Sequence, residues 1–291
     1  MPFVVRELGS AGAAEIVGLD CSTPLSAEHL GAVREAFGRF PILAFRDQAL
    51  SPSQQARFSA QFGPLINEEN EEFVHPDDAN VLVLTNELRA DGSPIGVVDA
   101  GDYFHSDSSH KPEPVLATIL SCVQTPSTGG DTEFANMTHV YDALPQAMRD
   151  ALDGRYAWHH VSKLNNPRVA VSANRPGAKE AYERQSRERG EILQPVVRTH
   201  PDTGRRSLYV SPRFTLRIDG MDAAASEALL LEIFARMQAD DALYRHRYRT
   251  GDLVMWDNRC LNHRATGGYA LPDIRRMHRT TIHGDRPFFR G

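Results

Sequence analysis

His105 and Asp107, in Tyr103-Phe104-His105-Ser106-Asp107, and the remote His263, behind Trp256-Asp257-Asn258, are the side chains of this sequence best suited to hold a metal ion. In an extended strand alternate side chains share a face, so the spacing predicts His105 and Asp107 side by side with Ser106 turned away. Two imidazoles and one carboxylate make the facial set that holds non-haem Fe(II) and leaves coordination positions open to other molecules. His-x-Asp alone is a weak signal in a chain with 12 His and 38 acidic residues. The same three side chains would serve a zinc-dependent hydrolase with a metal-bound water as nucleophile, or a metal-binding sensor without oxidative turnover.

Arg275 and Arg279 have the same parity, so a strand sends both guanidinium groups to one face, roughly 13 Å apart at ~3.3 Å per residue. A guanidinium offers a carboxylate two parallel hydrogen bonds, and a charge-assisted bond of this kind is worth about 1.5–3 kcal/mol. Two such groups entering one barrel call for two anions.

The elements that position these residues are partly readable. Ser26 precedes a helix with Leu30, Val33, Phe37 and Phe40 at helical spacing, closed by Pro41, and the strand Ile42–Phe45 follows. Ser51-Pro52 opens a second helix that ends at Gly63-Pro64. Val81–Leu84 and Val115–Gln124 read as buried strands. The stretch from Thr138 to Leu152 reads as a helix broken near Pro145, and Ala223 to Met237 as a further helix. Further strands are expected at 196–198, 207–210, 252–256 and 276–282. Residues 65–78 are acidic and irregular and 89–102 reads as loop or lid, so 65–102 and 162–191 are expected as lid segments, the polar 162–191 alternatively as a subunit contact. Periodicity by itself supports a strand-rich α+β domain. Widely separated ligands that must meet at one metal make 1–291 a single domain.

Composition narrows the function further. A formal charge of −6 argues against a nucleic-acid partner. No run of 18 apolar residues and no basic, apolar leader occur, so a soluble cytoplasmic protein without a membrane partner is expected. Cys21, Cys122 and Cys260 match neither a zinc site nor a disulfide framework and read as reduced, partly buried thiols.

Several motifs in order then point to one family. The run from Tyr103 through Pro126 to Ser127-Thr128-Gly129-Gly130-Asp131-Thr132 is the first of them. Gly251 to Arg259 and Arg275-Arg276-Met277-His278-Arg279 are the others. Together they resemble the 2-oxoglutarate-dependent dioxygenases typified by taurine dioxygenase and 2,4-dichlorophenoxyacetate dioxygenase, over nearly the whole chain. The resemblance implies a double-stranded β-helix, or jelly roll, flanked by helices, mainly β in content. It implies Fe(II) on His105, Asp107 and His263, with 2-oxoglutarate and dioxygen as co-substrates.

In similar enzymes the position of Arg275, aided by the threonine at Thr132, binds the distal carboxylate of 2-oxoglutarate. The position of Arg279 meets the acidic group of a small anionic substrate. A carboxylate at Asp107 favours hydroxylation over halogenation. His75 and His200 lie near substrate-binding histidines of such enzymes and are expected as substrate contacts; His159-His160 reads as structural. Gly129 and Gly130 are expected in a tight turn. Relatives of this kind are commonly dimers or tetramers, so a homo-oligomer is expected.

Overall fold

The structure, a computed structural model, describes residues 3–66, 71–98, 101–161 and 190–291. Its strands are β1 (Val4–Glu7), β2 (Ala13–Val17), β3 (Ile42–Phe45), β4 (Val74–His75), β5 (Asp78–Thr85), β6 (Val115–Gln124), β7 (Thr132–Asn136), β8 (Tyr156–His159), β9 (Ile192–Pro195), β10 (Val197–Thr199), β11 (Arg206–Leu208), β12 (Thr215–Ile218), β13 (Leu243–His246), β14 (Leu253–Asp257), β15 (Leu261–Ala265) and β16 (Arg276–His283). The helices are α1 (Ala27–Arg39), α2 (Pro52–Ala60), α3 (Met137–Asp142), α4 (Gln146–Leu152) and α5 (Ala223–Arg236).

Eight strands form one sheet in the order β1-β2-β3-β14-β6-β16-β5-β4, and β13-β7-β15 form a smaller one. The space between them is filled from both sides, by Leu82, Leu120, Trp256 and Met277 of the large sheet and Phe134 and Leu261 of the small one. Helices α1 and α2 cover the other face of the large sheet, where Val33, Phe37 and Phe58 pack on Leu43, Phe45 and Ile119. Helices α3 and α5 back the small sheet, whose Ala135 joins Val140, Leu230 and Ile233. Adjacent residues Phe134 and Ala135 thus serve opposite cores, as strand alternation requires.

The two N-terminal helices start where the local chemistry dictates. Ser26 accepts from His29 N at the start of α1, and Ser51 and Gln54 close a capping box on α2 with Pro52 in its first turn. The expected break at Pro145 separates α3 from α4.

The span 65–102 carries in its middle the strand expected at 81–84, longer at both ends than expected. Asp78–Thr85 is a strand of the large sheet, and the chain beyond it folds back along it through Thr85 N to Val97 O at 3.0 Å and Val97 N to Val83 O at 2.9 Å. Of the other expected lid, 162–191, residues 162–189 lie outside the described part. All three cysteines are free and buried. No helix among the described residues is long and apolar enough to cross a membrane.

Candidate metal centre and its anion pocket

His263 sits in the middle of β15, opposite Phe134 of β7. The strand expected at 103–107 is absent: His105 forms one isolated bridge to His263, with His105 N to His263 O at 3.1 Å and His263 N to His105 O at 2.8 Å. Asp107 already lies in a turn, followed by Ser108 at φ 58°. Its direction comes from long-range bonds instead. Asp107 N donates to Asn258 Oδ1 at 3.1 Å, and Thr118 Oγ1 donates to Asp107 Oδ2 at 2.6 Å. Ser106 does point away, giving its hydroxyl to Asn258 O at 2.7 Å.

The three side chains converge. Nε2 of His105 is 3.5 Å from Asp107 Oδ1, Nε2 of His263 is 3.8 Å from Oδ2, and the two rings are 4.3 Å apart between centroids. One donor atom from each residue lies within 4.8 Å of the other two. A bond between His105 Nδ1 and Tyr103 O at 2.8 Å places the proton there and leaves Nε2 with its lone pair. His263 is held between Trp256 and Phe134, at 4.7 and 6.1 Å between ring centroids. Burial, reinforced by the like charges of His105 and Arg279, pushes its pKa down to about 3, so its imidazole is neutral. At Asp107 burial favours the neutral acid, but the hydrogen bond with His105 and the charge of Arg279 work against it and hold the carboxyl well below the usual range. Two imidazoles and a carboxylate fit a divalent iron ion.

Buried Glu133 on β7 braces this wall, accepting from Arg245 on β13 and from Arg264, next to His263 on β15, the latter at 2.7 Å. Burial would raise its pKa, yet the Arg264 and Arg245 bonds lower it.

A second pocket adjoins the end of β15. Arg275, 6% exposed, lies just before β16, and its Nε donates to Gly130 O at 2.9 Å. Its guanidinium carbon is 5.7 Å from the Tyr248 ring centre and 6.0 Å from that of Tyr269. The Tyr248 hydroxyl reaches Thr132 Oγ1 at 3.2 Å, so Thr132 and Arg275 meet around one tyrosine. A cavity of about 40 Å³ lined by Leu84, Val97, Ala265, Tyr269 and Arg275 opens here. The expected glycine turn is tight: Gly130 has φ 73°, its N–H bonds Gly267 O at 2.8 Å, and an added Cβ would sit 3.1 Å from Arg275 Cδ. Arg279 shares the parity of Arg275 and Met277, and its charge bears on Asp107 and His263.

Two expected contacts are placed elsewhere. His75 packs its ring on His278 at 4.9 Å, on the face of the large sheet covered by α2; Gln55 of that helix binds His278 O at 2.9 Å. His200 gives both ring nitrogens to the fold, with Nε2 3.0 Å from Asp257 Oδ2 and Nδ1 accepting from Asp202 N and Thr203 N. Asp257, His200 and Cys260 also cluster within 4.8 Å, but Arg259 claims both Asp257 oxygens, which makes this an ion-pair network. His159 is structural, bonded to Ser109 and Thr215.

Thr118, Tyr248 and the Gly130 carbonyl were not foreseen. The signal for Thr118 is a hydroxyl inside the apolar run Val115–Gln124.

Known proteins place these features in context. The family described as taurine catabolism dioxygenase TauD, TfdA family matches residues 5–281. The chain is 31% identical over 294 residues to the alpha-ketoglutarate-dependent 2,4-dichlorophenoxyacetate dioxygenase of Cupriavidus pinatubonensis, covering 98% of this chain and 99% of that one. It is 32% identical over 267 residues to the (S)-phenoxypropionate/alpha-ketoglutarate-dioxygenase of Sphingobium herbicidovorans, covering 87% and 85%. The crystal structure of AAD-2 in complex with Mn(II) and N-oxalylglycine superposes with a TM-score of 0.80 at 28% identity, covering 99% of each chain.

Proposed function

This chain belongs to the taurine catabolism dioxygenase TauD, TfdA family, and from that premise we infer that His105, Asp107 and His263 hold Fe(II) while Arg275 and Thr132 receive 2-oxoglutarate. The protein is an Fe(II)- and 2-oxoglutarate-dependent dioxygenase acting on a small anionic compound that carries a carboxylate or sulfonate. The observation that carries the site assignment is the convergence of three donor atoms within 4.8 Å, beside a buried arginine backed by a threonine and a tyrosine. A zinc hydrolase or a bare sensor has no use for that second pocket. The two facing sheets are read as a double-stranded β-helix within one domain, 1–291. The charge of −6 disfavours a nucleic-acid partner, and we read the protein as a cytoplasmic homo-oligomer without a membrane partner.

The chain's own groups divide the work. His105 and His263 offer ring-nitrogen lone pairs and Asp107 a negative charge, which together suit a divalent cation. Arg275, its Nε spent on Gly130, keeps its terminal nitrogens for the far carboxylate of 2-oxoglutarate, and the Thr132 hydroxyl adds a donor. Arg279 orients the acidic group of the substrate so that one C–H bond faces the centre, and this positioning sets selectivity. When bound, the ion supplies reductive activation of dioxygen: one oxygen atom converts 2-oxoglutarate to succinate and carbon dioxide, and the other enters the substrate. If the hydroxylated carbon bears an ether oxygen, sulfonate or amine, the product falls apart unaided.

Fe(II) with 2-oxoglutarate under anaerobic conditions gives a weak visible charge-transfer band that His105→Ala and Asp107→Ala remove; persistence in both variants refutes the ligand set. Succinate release across phenoxyalkanoates, sulfonates and other small acids then identifies the substrate.

A further inference from the structure

We propose that Thr118 restricts Asp107 to one-oxygen ligation of the metal, and so keeps open a coordination position that a two-oxygen carboxylate would fill. The inference rests on the ligand assignment above and extends it to the protons that surround one ligand.

Thr118 lies on β6, fully buried, with Oγ1 2.6 Å from Asp107 Oδ2. An ionised carboxylate only accepts, so the hydroxyl proton goes to Asp107, and a bond of this length to a charged oxygen is a strong one. Its direction is fixed one step further out. Asn258 Oδ1 accepts from Trp256 Nε1 at 3.2 Å and from Asp107 N at 3.1 Å, so the amide cannot turn over. Asn258 Nδ2 must then donate to Thr118 Oγ1, at 3.0 Å, which leaves the threonine proton for the carboxylate.

The joint itself is anchored. Asn258 is 0% exposed, its N–H bonds Leu116 O at 2.9 Å, and its carbonyl accepts from Ser106 at 2.7 Å. The bond occupies one lone pair of Oδ2, which lies 3.8 Å from His263 Nε2, and holds the carboxylate plane, while Oδ1 sits 3.5 Å from His105 Nε2 with no such donor upon it. A six-coordinate ion with three one-atom protein ligands keeps two positions for a chelating 2-oxo acid and one for dioxygen. Were Asp107 to bind through both oxygens, the dioxygen position would be lost. Thr118 is thus a positioning residue, acting on the reaction through Asp107.

The test uses the full chain titrated with Mn(II) alone, with water-proton relaxation counting the exchangeable waters on the bound ion. Thr118→Val, which keeps the shape and removes the donor, is expected to bind Mn(II) with one water fewer than the parent protein, and Thr118→Ser to restore the parent count. Thr118→Ala provides the same comparison if the valine variant does not fold. An unchanged water count in a folded donor-less variant overturns the proposal. Loss of Mn(II) binding by such a variant also overturns it, because Thr118 would then be needed to hold the ion at all. Absence of Mn(II) binding by the parent protein would instead sink the ligand assignment beneath it.

Discussion

Tyr248 gives its hydroxyl to Oγ1 of Thr132 across 3.2 Å, and the same ring lies under the Arg275 guanidinium. Burial pushes the phenol well above its ordinary pKa, so it stays a proton donor across the working range. With a lone pair of Thr132 taken by this bond, the threonine proton is directed elsewhere, toward an incoming carboxylate. Tyr248→Phe removes that control while keeping the ring. Its expected effect is a rise in the KM for 2-oxoglutarate of several-fold, corresponding to about 1 kcal/mol, with substrate affinity unchanged. Steady-state kinetics checks it, and a phenylalanine variant indistinguishable from the parent would remove Tyr248 from the clamp.

Arg275 and Arg279 are expected to fail differently. Loss of a charge-assisted bond worth about 1.5–3 kcal/mol translates to roughly tenfold to a hundredfold in affinity. Arg275→Ala should place that loss on 2-oxoglutarate, and Arg279→Ala on the substrate found in the succinate screen. Equal loss for both ligands in both variants contradicts the division of labour.

Acid should weaken the fold partly through His278. This residue is 8% exposed beneath α2. Burial, with the charges of His75 and Arg276, brings its pKa down to about 4 from 6.5. The unfolded chain therefore takes up the proton first. The contribution to stability is full above pH 6.5 and is lost as pH falls toward 4, to a maximum of about 3 kcal/mol. Urea midpoints measured from neutral pH down to about pH 4.5 should fall less steeply for His278→Gln than for the parent protein; parallel slopes would exclude His278 as a source of acid sensitivity.

What could be read from the sequence follows how local the cause is. Helices α1 and α2 are set by serine caps, a proline and apolar spacing within a few residues, and their limits emerged nearly as expected. The metal strand is the opposite case. His105 and Asp107 are aimed by β15 and Asn258, residues far away in the chain, and a local alternation rule predicts a strand that is absent. Strands β7 and β15 went unread because Thr132, Glu133, Asn262, His263 and Arg264 are polar residues serving the site and its braces. His75 and His200 show the same limit from the other side. Their neighbourhood in sequence suggested substrate contact, but the sheet turns one toward α2, and the other is consumed by Asp257.

The paired backbone bonds between His105 and His263 also bear on biogenesis. Neither imidazole finds its counterpart until β15 has been synthesised and laid against β7, a closure between distant parts of the chain that is slow compared with helix formation. A metal ion that needs both imidazoles can therefore be held only late in the folding of the polypeptide.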